Sequence, residues 1–122
     1  TFVTYGKPLR IVQGAAETLA RSGIEAEIVD IRSLRPLDEK TIYDSVRKTN
    51  RCVVVDECWP VASMASHLAW LVSRNCFDRL DAPVEVVTAE DVPMPYNHTL
   101  ELAAQPSVEK VIRAAKSVLY ME

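Results

Sequence analysis

The sequence predicts an α/β domain of three layers, α/β/α, built on a mainly parallel sheet of about five strands. Strand-like runs rich in valine and isoleucine occur at 2–5, 25–31, 51–55 and 84–88, with a helical pattern in each gap. Strands that alternate with helices make a mainly parallel sheet covered on both faces. No repeat or low-complexity linker breaks this order, and the 122 residues, 48% of them hydrophobic, suit one compact domain spanning 1–122. A chain of this size buries roughly two-thirds of the surface its unfolded form exposes, so it needs no disulfide or metal to fold.

The elements follow in turn. The first strand, Phe2 to Tyr5, starts almost at the first residue, with no methionine or leader before it. The expectation is a domain cut from a longer polypeptide, with chemistry in the missing part. A helix over about 9–21 places Ile11, Val12, Ala15, Ala16 and Leu19 on one face, and Ser22-Gly23 supplies a left-handed stop. After the second strand, Asp38 is a side-chain N-cap for a surface helix with a narrow stripe of Ile42, Tyr43 and Val46. A third helix, about 62–74, is apolar on most sides through Ala65, Leu68, Ala69, Trp70, Leu71 and Val72, which predicts burial or an interface. The last, from Ser107 to about Tyr120, opens with a Ser cap after Pro106 and buries Val108, Val111, Ile112, Ala115 and Leu119.

Composition removes several function classes. Seventeen acidic against fourteen basic residues give a net charge of −3, with no basic cluster to neutralise a run of phosphates, so nucleic acid is excluded as a partner. Cys52, Cys58 and Cys76 lie six and eighteen positions apart, matching neither a disulfide framework nor a zinc spacing and fitting a reducing compartment. No apolar run approaches the ~20 residues that cross a bilayer, so no membrane association is expected.

Motif by motif, catalytic readings fail. Arg51 to Glu57 ends like the magnesium-binding strand of a P-loop nucleotidase, but the only glycines are Gly6, Gly14 and Gly23, and Pro8 removes a backbone donor after Gly6-Lys7. Asp56 would suit the phosphoacceptor of a receiver domain, yet Tyr5-Gly6-Lys7 stands where the acidic pair is needed. Asp30 sits where a ribose-binding acid would, but the preceding turn has one glycine where a dinucleotide site needs three. His67, within the third helix, and His98, in a proline loop, have no sequence-adjacent carboxylate or cysteine that makes a triad or metal site. Trp59 and Trp70 read as core or interface aromatics.

Two loops carry the most information. DIRSLRPLD (30–38) and EDVPMPY (90–96) each follow a strand and rest on prolines, which fix φ and keep the preceding residue out of the helical region. Rigid loops at strand ends are where α/β proteins place binding surfaces. With Trp59-Pro60, the LDAP stretch at 80–83 and the closing helix, these blocks resemble the C-terminal domain of the pyruvate dehydrogenase E1 β subunit. That domain belongs to the transketolase-like family of thiamine diphosphate enzymes, and the resemblance covers essentially the whole chain. One departure is Cys58-Trp59-Pro60 followed by Ser63, Ala65 and His67, where the family commonly has Gly-Trp-Pro, a Gly-x-Gly pair and a Glu. No role is carried over to His67.

The resemblance implies a part of an α2β2 enzyme that decarboxylates pyruvate and passes the acetyl group to the lipoyl arm of E2. Thiamine diphosphate and magnesium would be held by the α subunit and the N-terminal domain of β, with no catalytic, cofactor or metal residue in this domain. The implied partners are the E1 α subunit, a second β subunit and the basic peripheral subunit-binding domain of E2. For E2 the matching acid is Asp81, with Met121 and Glu122 at the chain end beside it; Trp59 and Trp70 are candidate subunit contacts. The compartment would be the cytoplasm in a bacterium and the mitochondrial matrix in a eukaryote. The rival readings are the same domain of a branched-chain 2-oxoacid enzyme, transketolase or deoxyxylulose phosphate synthase, and, from another class, a free-standing flavodoxin-like binding module.

Overall fold

The computed structural model describes residues 1–121. Four strands, β1 (Phe2–Thr4), β2 (Ile28–Asp30), β3 (Val53–Val55) and β4 (Glu85–Val87), form one sheet in the order β2-β1-β3-β4. Every pairing is parallel, with Val3 opposite both Val29 and Val54, and Val54 opposite Val86. The strands are shorter than the β-branched runs that encode them, because only three residues of each run are paired with a neighbouring strand.

The alternation of side chains along each strand builds the two cores. Phe2, Val53, Val55 and Val87 face one side, where they meet Val12, Ala15 and Leu19 of α1 (Pro8–Arg21) and Val111, Ala115 and Val118 of α5 (Val108–Val118). Val3, Val29 and Val54 face the other, against Ile42 and Val46 of α2 (Glu39–Thr49) and Leu68 and Val72 of α3 (Met64–Asn75). Three layers result, as the alternation of strands and helices requires.

The expected caps are present. The Asp38 carboxylate accepts from the Thr41 N–H at 3.1 Å, the Ser107 hydroxyl accepts from the Lys110 N–H at 3.3 Å, and Gly23 takes φ +80 just past α1. Three features depart from expectation. α3 starts at Met64 instead of residue 62, because Ala62 holds φ +53 and Ser63 becomes the cap, accepting from Ser66 N–H. α5 stops at Val118, two residues early, and Tyr120 takes φ +55. A short unforeseen helix, α4 (His98–Ala104), begins where Asn97 accepts from the Thr99 and Leu100 N–H groups, so His98 opens a helix and does not sit in a loop.

Candidate functional site

In a doubly wound sheet the crevice for a ligand lies at the carboxyl ends of the two strands where the order reverses. Here those strands are β1 and β3, and the residues that follow them are Tyr5 and Asp56. Asp56 is 1% exposed. One carboxylate oxygen accepts from the Cys58 N–H at 3.1 Å and the other from the Ala65 N–H, in the first turn of α3, at 3.2 Å. Burial and hydrogen bonding to Asp56 push the Tyr5 phenol far above its ordinary value, so it stays protonated. The carboxylate thus holds the turn over 56–63 against the start of α3, engaged by two backbone N–H groups and by the Tyr5 hydroxyl. Among the described residues no group of three His, Cys, Asp or Glu side chains could hold a metal ion.

The three rigid stretches read from the sequence all gather at this carboxyl edge. The 31–38 loop leaves β2 with Asp30 paired to Arg32 and a cis bond between Arg35 and Pro36. The Trp59-Pro60 turn leaves β3, and the 88–97 loop leaves β4. The last two are tied together, since the Trp59 indole N–H donates to the Val92 carbonyl at 3.1 Å. Lys110 of α5 then binds the Glu90 carboxylate at 2.7 Å and the carbonyls of Ala103 and Gln105, which fastens α4 to the same loop.

Asp81 lies at the opposite edge, in the turn before β4. Its main chain is pinned at both ends: its N–H donates to the Asn50 carbonyl at 2.9 Å and its carbonyl accepts from the Tyr120 hydroxyl at 3.1 Å. Its side chain is about half exposed and faces Arg51, with Nη1 to Oδ2 at 3.4 Å. Arg51 also donates through Nε to the Val118 carbonyl at 2.8 Å, so one guanidinium joins the start of β3, the 80–83 turn and the end of α5. Phe77, Asp81 and Tyr120 line an open cavity of ≈ 630 Å³ with Leu80, Ala82 and Pro83, and Met121 beside Tyr120 is 49% exposed. Asp81, Tyr120 and Met121 therefore share one surface; Glu122 lies outside the described residues.

The two tryptophans are not in the core. Trp59 and Trp70 are each 52% exposed, because α3 buries Ala65, Leu68, Leu71 and Val72 and turns position 70 outward. On that outer face His67 stacks on Trp70 at 6.0 Å between ring centroids, and the Arg74 guanidinium lies 5.3 Å from its ring. Sequence reasoning missed Arg51 and Tyr120 as parts of the Asp81 surface, and it left Asp56 without a role once phosphate chemistry was excluded. The start of α3 eight residues beyond Asp56 was the available signal.

The family model described as transketolase, C-terminal domain, matches residues 1–111. The chain belongs to this family. Among curated proteins, the pyruvate dehydrogenase E1 component subunit beta of Rickettsia felis is 42% identical over 120 residues, covering 98% of this chain and 37% of that protein. The mitochondrial subunit beta-1 of Arabidopsis thaliana is 45% identical over 120 residues, covering 98% of this chain and 33% of that protein. The transketolase C-terminal domain described here thus spans about a third of the length of the curated relatives it matches. A solved structure titled split gene transketolase, inactive beta4 tetramer, superposes with a TM-score of 0.81 at 26% identity, covering 98% of this chain and 38% of that one.

Proposed function

We propose that this chain is the C-terminal assembly and E2-docking domain of a pyruvate dehydrogenase E1 β subunit. The observation that carries the reading is the match along 98% of the chain to bacterial and mitochondrial subunits of that name. In this reading the full α2β2 enzyme oxidatively decarboxylates pyruvate with thiamine diphosphate and magnesium and acetylates the lipoyl group of E2. The residues of this domain do not fit the cofactor: Asp56, the acid at the switch point, is committed to the Cys58 and Ala65 N–H groups, so no chemical step is routed through it. Its compartment is the cytoplasm in a bacterium and the mitochondrial matrix in a eukaryote. No helix of the described residues is long and apolar enough to cross a membrane.

The domain's own work in this reading is contact. Asp81, together with Met121 and the chain-terminal Glu122, receives a cation of the E2 peripheral subunit-binding domain, while Trp59 and Trp70 lie toward the α subunit or the second β subunit. A carboxylate at Asp81 suits the first role because it stands half exposed on a turn whose main chain is pinned at both ends. Arg51 orients that carboxylate and shares its charge, so an incoming E2 arginine or lysine adds to an existing pair.

Two measurements test the reading. The full-length α/β enzyme should turn over pyruvate in preference to branched-chain 2-oxoacids; the reverse preference would reject the pyruvate assignment. In that enzyme, Asp81→Asn should weaken binding of the E2 domain by about 1 kcal/mol, the size for a partly exposed pair, with a smaller loss at high salt. Unchanged affinity alongside a lowered melting temperature would make Asp81 a turn residue.

A further inference from the structure

β4 ends the sheet, and its outer side has no neighbouring strand among the described residues. Glu85 and Val87 turn their main chains inward to β3: the Glu85 N–H donates to the Cys52 carbonyl at 3.2 Å, and the Val87 carbonyl accepts from the Asp56 N–H at 3.0 Å. Main-chain groups alternate in direction along a strand, so the Val84 carbonyl, the Val86 N–H and carbonyl, and the Thr88 N–H point away from the sheet. They open on a cavity of ≈ 480 Å³ beside α5, which Val86, Thr88, Arg113 and Ser117 help to line. An uncovered strand of this kind is a template for another strand.

Five charged side chains line the cavity: Glu85, Glu90, Asp91, Lys110 and Arg113. Lys110 is paired with Glu90, and the Ser117 hydroxyl donates to one oxygen of Glu85 at 3.2 Å. These two contacts set the register of α5, which runs against β4 with Ser117 level with Glu85 and Lys110 level with Glu90. Arg113 therefore lies level with Val87 and Thr88, on the face of the sheet that Glu85 shares. It is exposed, with no hydrogen bond or ion pair to another described residue. Asp91 lies past the strand, on the loop beside Trp59. A surface of mixed sign draws neither a polyanion nor a polycation; what it lacks is a carboxylate for Arg113.

We infer that β4 pairs antiparallel with β4 of a second copy of this chain, about a two-fold axis at Val86 that joins the two sheets. Val86 then exchanges both main-chain bonds with Val86 of the second copy, and each Thr88 N–H meets a Val84 carbonyl, so every outward group named above is matched. The partly exposed Val86 side chains meet across the axis. On the α5 face the axis sets Glu85 opposite Val87 of the second copy, which brings it under the second copy's Arg113. An unrelated strand would satisfy the main chain and leave Arg113 unpaired. A second copy supplies the acid twice, once on each side of the axis. The pairing goes beyond the reading given above and requires neither its substrate nor its cofactor.

The test is disulfide trapping in the full-length chain, with Val86→Cys introduced and Cys58, the exposed thiol of this domain, replaced by serine. The Cα atoms of a directly opposed, hydrogen-bonded pair lie about 5.5 Å apart, within reach of a disulfide. Mild oxidation should give a covalent dimer joined at position 86, identified by peptide mass mapping. Adding Arg113→Glu or Glu85→Lys to this background should slow trapping about tenfold, because each sets like charges together. When the two variants are mixed before oxidation, the dimer containing one of each should form at the rate of the background, since both of its pairs are again of opposite sign. Only contacts between copies can produce that rescue. No dimer at position 86 overturns the inference, as does a rate indifferent to either charge change, or a mixture as slow as its components. None of these outcomes touches the pyruvate reading, which 2-oxoacid turnover tests by itself.

Discussion

Arg51 and Asp56 bracket the same three-residue strand, and each ties together elements that are distant in the chain, yet they do so by different means. Asp56 is sealed from water and bonded to two backbone N–H groups, so it acts as a fixed internal cap for the 56–63 turn and α3. Arg51 is only partly covered, bonds one backbone carbonyl, and meets a carboxylate that still faces solvent. A buried charge satisfied by dipoles gives rigidity and has nothing left to offer a ligand. A half-exposed pair contributes less to stability and leaves charge available to a partner. The acid at the place where this architecture ordinarily binds ligands is therefore structural, and the candidate contact groups lie on the rims of both edges.

The largest effect that would break this contrast is at Asp56. Asp56→Ala leaves two inward-facing N–H groups without an acceptor and should destabilise the domain by about 3 kcal/mol. Thermal or denaturant unfolding reads it, and a loss below about 1 kcal/mol would mean that the turn does not depend on the carboxylate. Arg51→Met keeps the aliphatic stem but removes the Val118 bond and the Asp81 pair, with an expected loss of about 1 to 1.5 kcal/mol. Amide exchange should quicken around Asp81 and Tyr120 and stay unchanged across 56–63; a change at both edges would show the two ends of β3 to be coupled.

Trp59→Phe sharpens the comparison within the carboxyl edge. It retains an aromatic ring but not the N–H to Val92, and should lower stability by about 0.5 to 1 kcal/mol while freeing amides in 88–97. The smallest effect is one of pH. The hydrogen bond and charge of Lys110 hold the Glu90 carboxyl below its ordinary range. A carboxyl depressed in the folded state contributes stability that is complete above its unfolded value and lost as pH falls through the folded one. Acidification below the ordinary carboxylate range should therefore release Lys110 from Glu90 and lower the protection of α4 amides ahead of those of α5, as followed by hydrogen exchange at stepped pH with each rate taken relative to its intrinsic value. Protection of α4 that does not change with pH relative to α5 would show that Lys110 holds α4 through its carbonyl bonds alone.

The caps at Asp38 and Ser107, the stop at Gly23 and the four β-branched runs were legible because each depends on residues within a few positions, where backbone propensity and side-chain bonding act directly. The resemblance of the ordered blocks likewise belonged to the linear sequence, and the family match over 1–111 agrees with it. α4 was missed because its signal is one Asn cap after a proline-rich loop, and Glu90, Ala104 and Lys110 must meet before so short a helix is held. The pairing of Arg51 with Asp81 joins residues thirty positions apart, and the choice of Asp56 as an internal cap depends on where Ala62 and Ser63 turn the chain into α3. The exposure of Trp70 depends on which face of α3 meets the sheet, and an apolar run nearly continuous around the helix does not specify that face. Composition determined that this chain would bury a core; only the packing of α3 on β3 and β4 decided which of its large apolar side chains would be left in water, because burial is set by neighbours that the linear order does not name.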